Sequence, residues 1–232
     1  VAAVAVAAGK SSRMEGIDKQ SALLDQTPVV ARSLLALSEC ALVSEVVLVC
    51  PPGRVADYYE IVREYELDAV SIVVEGGETR QASVFAGVSA CDAQATHFAI
   101  HDGARPLVTP GEIEDCIRAA IEHRAAALGV KVKDTLKRAD KDGFIAGTID
   151  REPLVAIQTP QVFEAGLYRR ALALALQEKR DYTDDCQLVE RLGQKVYIVR
   201  GEYMNIKITT PQDLAIAEGI LQMREGGFAE WE

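Results

Sequence analysis

The chain has 232 residues, 49% of them apolar, and its 25 lysines and arginines against 35 aspartates and glutamates leave a formal charge of −10. That apolar share excludes a disordered chain, and only 17 glycines and 8 prolines exclude a collagen-like or linker composition. The acidic balance excludes general nucleic-acid binding, and the longest apolar run, residues 1–8, is far short of the ~20 residues that span a bilayer.

In chain order, short β-branched runs predict strands at 1–8, 45–49, 70–74, 97–101 and 127–132. Helical spacing lies between them at 28–41, 54–65, 81–90 and 110–124. Near-continuous apolar strands alternating with amphipathic helices predict an α/β fold with a mostly parallel sheet covered on both faces. Right-handed crossovers then bring the strands' carboxyl ends, and any ligand site, to one edge. The alternation breaks at Asp134. Polar-alternating residues around Asp140–Gly143 predict a hairpin, which is too poor in apolar residues to form a core of its own. It is expected to be either a surface flap or an arm that packs on another chain. Helices are expected again at 167–177 and 184–192, a strand at 195–199 and a last helix from 211 to about 224. The expected organisation is one domain over 1–225, including an arm at 134–151, with a frayed tail at 226–232.

Cys40, Cys50, Cys91, Cys116 and Cys186 are odd in number and scattered, without a C-x-x-C pair, so they read as small buried or half-buried thiols of a reducing compartment, not a disulfide frame. With no secretory leader pattern ahead of the first run, a cytoplasmic setting is expected. His97 and His101 face the same way on one strand, but no further ligands complete a zinc set.

Chemistry-bearing residues gather at the strand exits. The first exit reads Val6-Ala7-Ala8-Gly9-Lys10-Ser11-Ser12-Arg13-Met14. It is not a P-loop, because Val4 stands where that loop needs glycine, and it is not G-x-G-x-x-G. Small residues followed by Lys10, Arg13 and Lys19 suit either a polyphosphate cradle or a tight loop with solvated charges. Gly76-Gly77-Glu78-Thr79-Arg80-Gln81-Ala82-Ser83 follows the third strand and suits close ligand approach or an ordinary helix start. His101-Asp102-Gly103-Ala104-Arg105-Pro106 follows another strand and suits ribose, metal or phosphate contacts, or a loop ion pair. Near the end, Lys207 in Met204-Asn205-Ile206-Lys207 is an anion ligand or a solvated lysine. Converging on one edge without a nucleophile–base pair, these segments favour phosphoryl or nucleotidyl transfer.

Taken in order, A-A-G-x-x-x-R-M, Lys19-Gln20, G-G-x-x-R-x-x-S, H-D-G-A-R-P, D-T-x-K-R, D-R, T-P-Q and N-I-K resemble the cytidylyltransferases of the non-mevalonate isoprenoid route, from Val4 to about Leu221. The resemblance implies a Rossmann-like nucleotidyltransferase fold and a homodimer held by a protruding β-arm. It also implies magnesium-dependent transfer of CMP from CTP to methylerythritol phosphate. On that resemblance Arg13 and Lys19 bind the triphosphate and stabilise the transition state, and Lys207 stands near the α-phosphate. Ala7, Ala8, Gly77, Glu78 and Ser83 match positions around the cytosine, while Gly9, Lys10, Ser11 and Ser12 match the triphosphate loop. Asp102 matches a ribose position and a possible Mg2+ ligand, and Arg105 a substrate-phosphate position. Thr159 also matches a substrate position, and Thr135 and Arg151 match arm residues that enter the partner's site. Arg80 looks like a supporting residue of its loop.

The chain departs from that pattern in Ser11 and Ser12, one of which stands where a second glycine is common, and in Asp18, where proline is common. Glu78 replaces a shorter aspartate and Gly103 an alanine. Two alternatives stay open on the residues alone: a ribitol 5-phosphate cytidylyltransferase, and a non-catalytic nucleotide-binding module. The joint presence of Arg13, Lys19, Asp102, Arg151 and Lys207 favours the enzyme.

Overall fold

The computed structural model describes residues 1–9, 14 and 18–225, so Lys10, Ser11, Ser12, Arg13 and the expected tail at 226–232 lie outside the described residues. The first strand, β1 (Ala2–Val6), is buried at every position, as its unbroken apolar sequence requires. Alternate residues serve opposite faces: Ala3, Ala5 and Ala7 join one core cluster, and Ala2, Val4 and Val6 the other.

After β1 come the two-residue strands β2 (Leu23–Leu24) and β3 (Thr27–Pro28), then α1 (Val29–Glu39), β4 (Glu45–Cys50) and α2 (Val55–Glu64). β5 (Val70–Glu75), α3 (Arg80–Ala90), β6 (His97–Asp102), α4 (Pro110–His123) and β7 (Ala125–Lys131) continue the alternation. The hairpin β8 (Lys137–Ala139) and β9 (Ile145–Thr148) interrupts it. β10 (Val155–Glu164), α5 (Ala165–Glu178), α6 (Asp185–Glu190), β11 (Tyr197–Arg200) and α7 (Pro211–Glu225) complete the described chain.

Seven strands form one sheet in the order β11-β7-β10-β6-β1-β4-β5. β1, β4, β5 and β6 pair parallel, as do β7 and β11, whereas β10 runs antiparallel between β6 and β7. The predicted α/β class and mostly parallel sheet therefore stand, with one strand the sequence pattern does not announce. β10 carries Gln158-Thr159-Pro160-Gln161 at its middle, and its register with β7 shifts between Ile157 and Gln161. A shift in register accommodates proline, which has no N–H for the ladder. The peptide before Pro160 is cis.

Side chains of α1, α2 and α4 (Leu34, Tyr58, Ile113 and Ile117) pack on one face. Val84 and Val88 of α3, Tyr168 and Leu172 of α5, and Leu188 of α6 pack on the other. α4 starts where Thr-Pro-x-Glu stands: the Thr109 hydroxyl accepts from Glu112 N–H, and the Glu112 carboxylate accepts from Thr109 N–H. All five cysteines are free and buried, as expected. No helix of the described residues is long and apolar enough to cross a membrane.

The hairpin is exposed along nearly its whole length, with Phe144 73% and Ile145 70% exposed near its turn. The turn is Asp140 to Gly143, with Gly143 at φ +88° and the Asp140 carboxylate accepting from the N–H groups of Asp142 and Phe144.

Helix α3 approaches the sheet closely because residue 87 is glycine: a Cβ there would lie 2.4 Å from Val4 Cγ1 and 2.7 Å from Val49 Cγ2. Overpacking of this kind costs ~1–3 kcal/mol, against a gain of ~1 kcal/mol in helix propensity from alanine. Gly87→Ala is expected to lower the urea midpoint. An unchanged or raised midpoint would mean that α3 can lift from β1 and β4 without cost.

Candidate functional site

A cavity of about 920 Å³ opens at the carboxyl ends of β1, β4, β5 and β6. This is where a parallel sheet leaves room between diverging crossovers. Ala8 and Gly9 come from the first exit, Pro51 and Pro52 from the second, Gly76 to Arg80 from the third and Asp102 from the fourth. Lys19 and Lys207 complete the cationic lining.

The glycine turn after β5 is built for close approach. Gly76 N–H donates to Cys50 O at 2.8 Å, prolonging the pairing of β4 with β5. A Cβ on Gly76 would fall 2.4 Å from Ala8 Cβ and 2.7 Å from Ser83 Oγ, and one on Gly77 would fall 2.5 Å from Ala82 Cβ. Any larger residue would push this wall outward. Ser83 Oγ accepts from Gly77 N–H at 3.2 Å and donates to Thr79 O at 2.9 Å, so the serine stitches the turn to the first turn of α3. Thr79 caps that helix by accepting from Ala82 N–H at 3.1 Å. The Glu78 side chain stands exposed at the cavity.

Asp102, the last residue of β6, forms the floor. Its Oδ2 accepts from Lys207 Nζ at 2.6 Å and its Oδ1 from Arg80 Nε at 3.3 Å, while Arg105 Nε stands 3.9 Å away. Burial alone would raise its pKa, but Arg80, Lys207 and Arg105 outweigh burial and hold the carboxyl well below the usual carboxylate range. Arg80 also donates to Asp185 Oδ2 at 2.6 Å. Burial disfavours the guanidinium charge, yet Asp185 and Asp102 raise its pKa above the ordinary value.

A buried layer lies beneath this floor. Asp102 N–H donates to Thr159 Oγ1 at 3.0 Å, and that hydroxyl lies 3.1 Å from His101 Nδ1. With the hydroxyl donating to Nδ1, the remaining ring proton sits on Nε2, 3.3 Å from Arg105 O, an assignment taken from the network. Burial pushes the His101 pKa down to about 4, so the ring is neutral. Arg105 Nη1 donates to Asn205 O at 2.7 Å, and Asn205 Nδ2 donates to Thr159 O at 3.1 Å. Ile208 N–H donates to Ala104 O at 2.8 Å. The Asn-Ile-Lys segment is thus tied down on both sides of Lys207.

The cavity brings together Ala8, Gly9, Lys19, Gly77, Glu78, Ser83, Asp102 and Lys207 from the residues singled out in the sequence. The Lys19 ammonium lies beside Gly9, 4.0 Å from where a Cβ would stand. Asp18, adjacent to Lys19, accepts from Ser21 Oγ at 2.7 Å and lies 3.6 Å from Arg54. Ala7, Arg105 and Thr159 sit outside the lining, with Ala7 and Thr159 buried and Arg105 half-buried, its side chain 12% exposed. Thr135 and Arg151 are exposed at the base of the hairpin, outside the lining as well, and Arg151 donates to Lys133 O. Pro51, Pro52 and Arg54 line the cavity without having been singled out, although they follow a predicted strand as the other exits do. Among the described residues no group of three or more His, Cys, Asp or Glu side chains could hold a metal alone.

Residues 1–223 match the sequence profile of 2-C-methyl-D-erythritol 4-phosphate cytidylyltransferase. The protein of that name from Pelotomaculum thermopropionicum is 44% identical over 99% of this chain and 98% of its own. Its counterpart from Caldanaerobacter subterraneus is 46% identical over 96% of this chain and 99% of its own. Among solved structures, the 4-diphosphocytidyl-2C-methyl-D-erythritol synthase of Anaerococcus prevotii superposes with a TM-score of 0.84 at 32% identity, covering 95% of each chain. The 2-C-methyl-D-erythritol 4-phosphate cytidylyltransferase of Thermus thermophilus gives 0.78 at 31% identity, over 94% of this chain and 98% of that one.

The neutral His101 ring has a consequence in solution. Its folded pKa of about 4 lies below the ordinary 6.5, so between those values the unfolded chain binds more protons and stability falls as pH is lowered. Asp102 adds a further loss at lower pH, because its stabilisation is present above the ordinary carboxylate pKa and disappears as pH drops through its depressed folded value. The urea midpoint is expected to decline from pH 6.5 towards pH 4, with the His101 ring resonances unshifted in that range until near the lower value. A His101 titration near 6.5 would contradict the burial and hydrogen bonding described.

Proposed function

The chain belongs to the 2-C-methyl-D-erythritol 4-phosphate cytidylyltransferase family, and from that premise we propose how its pocket performs the family's reaction. The enzyme transfers CMP from CTP to the phosphate of 2-C-methyl-D-erythritol 4-phosphate in isoprenoid precursor synthesis. The observation that carries the assignment of roles is the Asp102 carboxylate held between Lys207 and Arg80 at the base of the strand-end cavity.

A phosphate oxygen of the acceptor attacks the α-phosphorus of CTP in line. The new O–P bond forms as the bond from the α-phosphorus to the oxygen bridging to the β-phosphate breaks, and pyrophosphate leaves on the opposite side. The acceptor is already an anion and carries no proton that must be removed, so the site needs no general base. The difficulty is to bring anion to anion, and positioned cations are the remedy. Lys207 is assigned to the α-phosphate and Lys19, beside Gly9, to the triphosphate. Arg13 is assigned to the triphosphate from its place in A-A-G-x-x-x-R-M. Backbone at Ala7 and Ala8, the Gly77–Glu78 turn and Ser83 are assigned to the cytosine. Lys10, Ser11 and Ser12 are assigned to the triphosphate loop. Asp102 is assigned to the ribose side of the nucleotide. Arg105 and Thr159, with their side chains behind the floor, are assigned to shaping the acceptor side.

Magnesium fits this donor set as an ion held largely by the triphosphate, because a single floor carboxylate is what such a nucleotide-borne ion needs from the protein. Asp102 would hold it, directly or through water, and the ion would supply neutralisation of the departing charge. The exposed hairpin at 134–151 is assigned to a homodimer in which Phe144 and Ile145 are covered and Thr135 and Arg151 reach the partner's acceptor site. An arginine suits that place because its planar fork binds two phosphate oxygens. The setting is cytoplasmic, in keeping with five free thiols.

Pyrophosphate release from CTP tests the assignment, with methylerythritol phosphate and ribitol 5-phosphate as parallel acceptors. Release with the first acceptor is expected; release with ribitol 5-phosphate alone would reassign the enzyme, and release with neither would favour a binding module. Lys207→Ala should lower kcat by ~10²-fold or more while leaving the fold intact by circular dichroism. For the shared site, Arg151→Ala and Lys19→Ala are each expected to be inactive and to regain partial activity on mixing. Absence of recovery despite demonstrated subunit exchange would rule against it.

A further inference from the structure

Behind the pocket a buried carboxylate, which the reaction as described does not use, grips the same arginine that holds Asp102. Asp185 begins α6 with its side chain 1% exposed, and Arg80 spans the gap between it and Asp102, Nη1 to Asp185 at 2.6 Å and Nε to Asp102 at 3.3 Å. We propose that Asp185 is a positioning residue for nucleotidyl transfer: it holds the far edge of the Arg80 guanidinium, and through Arg80 it fixes the carboxylate on which Lys207 rests. This rests on the assignment of Asp102 and Lys207 to the reaction made above.

Three features make Asp185 the fixed end of this row. The Tyr168 hydroxyl donates to its Oδ1, and Tyr168 is fully buried, stacked on Phe163 with ring centroids 4.9 Å apart. The N–H groups of Asp185 and Cys186 both donate to Gln161 Oε1, at 3.1 and 3.2 Å, which ties α6 to the middle of the sheet. The preceding segment is pinned to α3 as well, with Gln81 Nε2 donating to Arg180 O at 3.0 Å and Tyr182 N–H donating to Gln81 Oε1 at 3.1 Å. Asp185 therefore cannot follow Arg80, whereas Arg80, with a side chain 25% exposed at the cavity wall, is the member able to move.

Electrostatics explain why a second carboxylate is needed. An arginine facing a polyphosphate pocket with only Asp102 as partner would be drawn towards the phosphates, away from the floor. With Asp185 in place the row Lys207–Asp102–Arg80–Asp185 alternates in sign and sums to zero. Arg80 is then satisfied at both edges, which leaves Lys207 as the floor cation directed to the nucleotide. The two bonds come from different nitrogens of one rigid fork, an arrangement a lysine cannot copy.

The test compares Asp185→Asn, Arg80→Lys and the double variant, reading kcat per folded site and, by calorimetry, the Kd for CTP. Asp185→Asn keeps shape and backbone bonds but removes the charge. It is expected to lower kcat by ~tenfold or more with CTP affinity held within ~threefold, a split that a loss of stability alone would not give. On the Arg80→Lys background the same change is expected to alter kcat by less than ~twofold, because the link is already broken. A kcat for Asp185→Asn within ~twofold of the parent would overturn the proposal, as would losses that multiply in the double variant. If Asp185→Asn does not fold, Arg80→Lys carries the same kcat-against-Kd split, and an unchanged kcat there overturns it. A parent inactive with CTP and methylerythritol phosphate would instead fail the functional reading, whereas an active parent with an unaffected Asp185→Asn fails this inference alone.

Discussion

The site depends on one buried carboxylate that stays charged. Asp102 ends a strand in the interior of the sheet, where an unpaired anion would be driven to take up a proton, and it is kept ionised by three cations from three different segments. Lys207 is delivered by a loop anchored through Asn205 and Ile208, Arg80 by the first turn of α3, and Arg105 by the strand's own exit. Each cation is also held by a bond outside the carboxylate, on its own side chain or on the backbone beside it. Without Asp102 these cations would stand close together with no common counter-charge.

The sheet supplies the geometry that makes this possible. Six strands running one way put their exits on one edge, while β10, running the other way, sends its middle under Asp102. Polar side chains in the interior of a sheet are costly unless satisfied, and those of β10 are used as tie points. Thr159 receives the Asp102 N–H, Gln158 donates to Glu202 O, and Gln161 accepts from the start of α6.

Much of this was legible in the sequence, and the failures have physical reasons. β1, β4, β5 and β6 announce themselves as apolar runs, and their exits place Gly76, Gly77, Asp102 and the residues after Val6 on one edge. The Asp140–Gly143 turn is local chemistry and equally readable. β10 was not readable, because Gln158, Thr159, Pro160 and Gln161 break the apolar pattern for reasons that lie in other elements. At its strand exit Arg105 suits a ribose, metal or phosphate contact or a loop ion pair; the tertiary fold adds what the local sequence does not show, a bond from its guanidinium to Asn205 O, 100 residues on. Nothing near Asp185 in the chain hints that its carboxylate meets an arginine from α3, since only the tertiary fold brings them together.

The ties that complete the floor span similar stretches of chain. Arg80 to Asp185 and Asp102 to Lys207 each separate by 105 residues, and Arg105 to Asn205 by 100. Closing a loop of that size costs about 4 kcal/mol in chain entropy before any contact repays it, but the cost is largely shared once the first tie has formed. The floor cannot be complete until the last quarter of the chain, which supplies Asp185, Asn205 and Lys207, is in place. A polypeptide emerging from the ribosome through α4 already carries β1, β4, β5 and β6, four of the seven strands, while Asp102 still lacks Lys207, so the cavity's strand exits are synthesised before the cation that completes its floor.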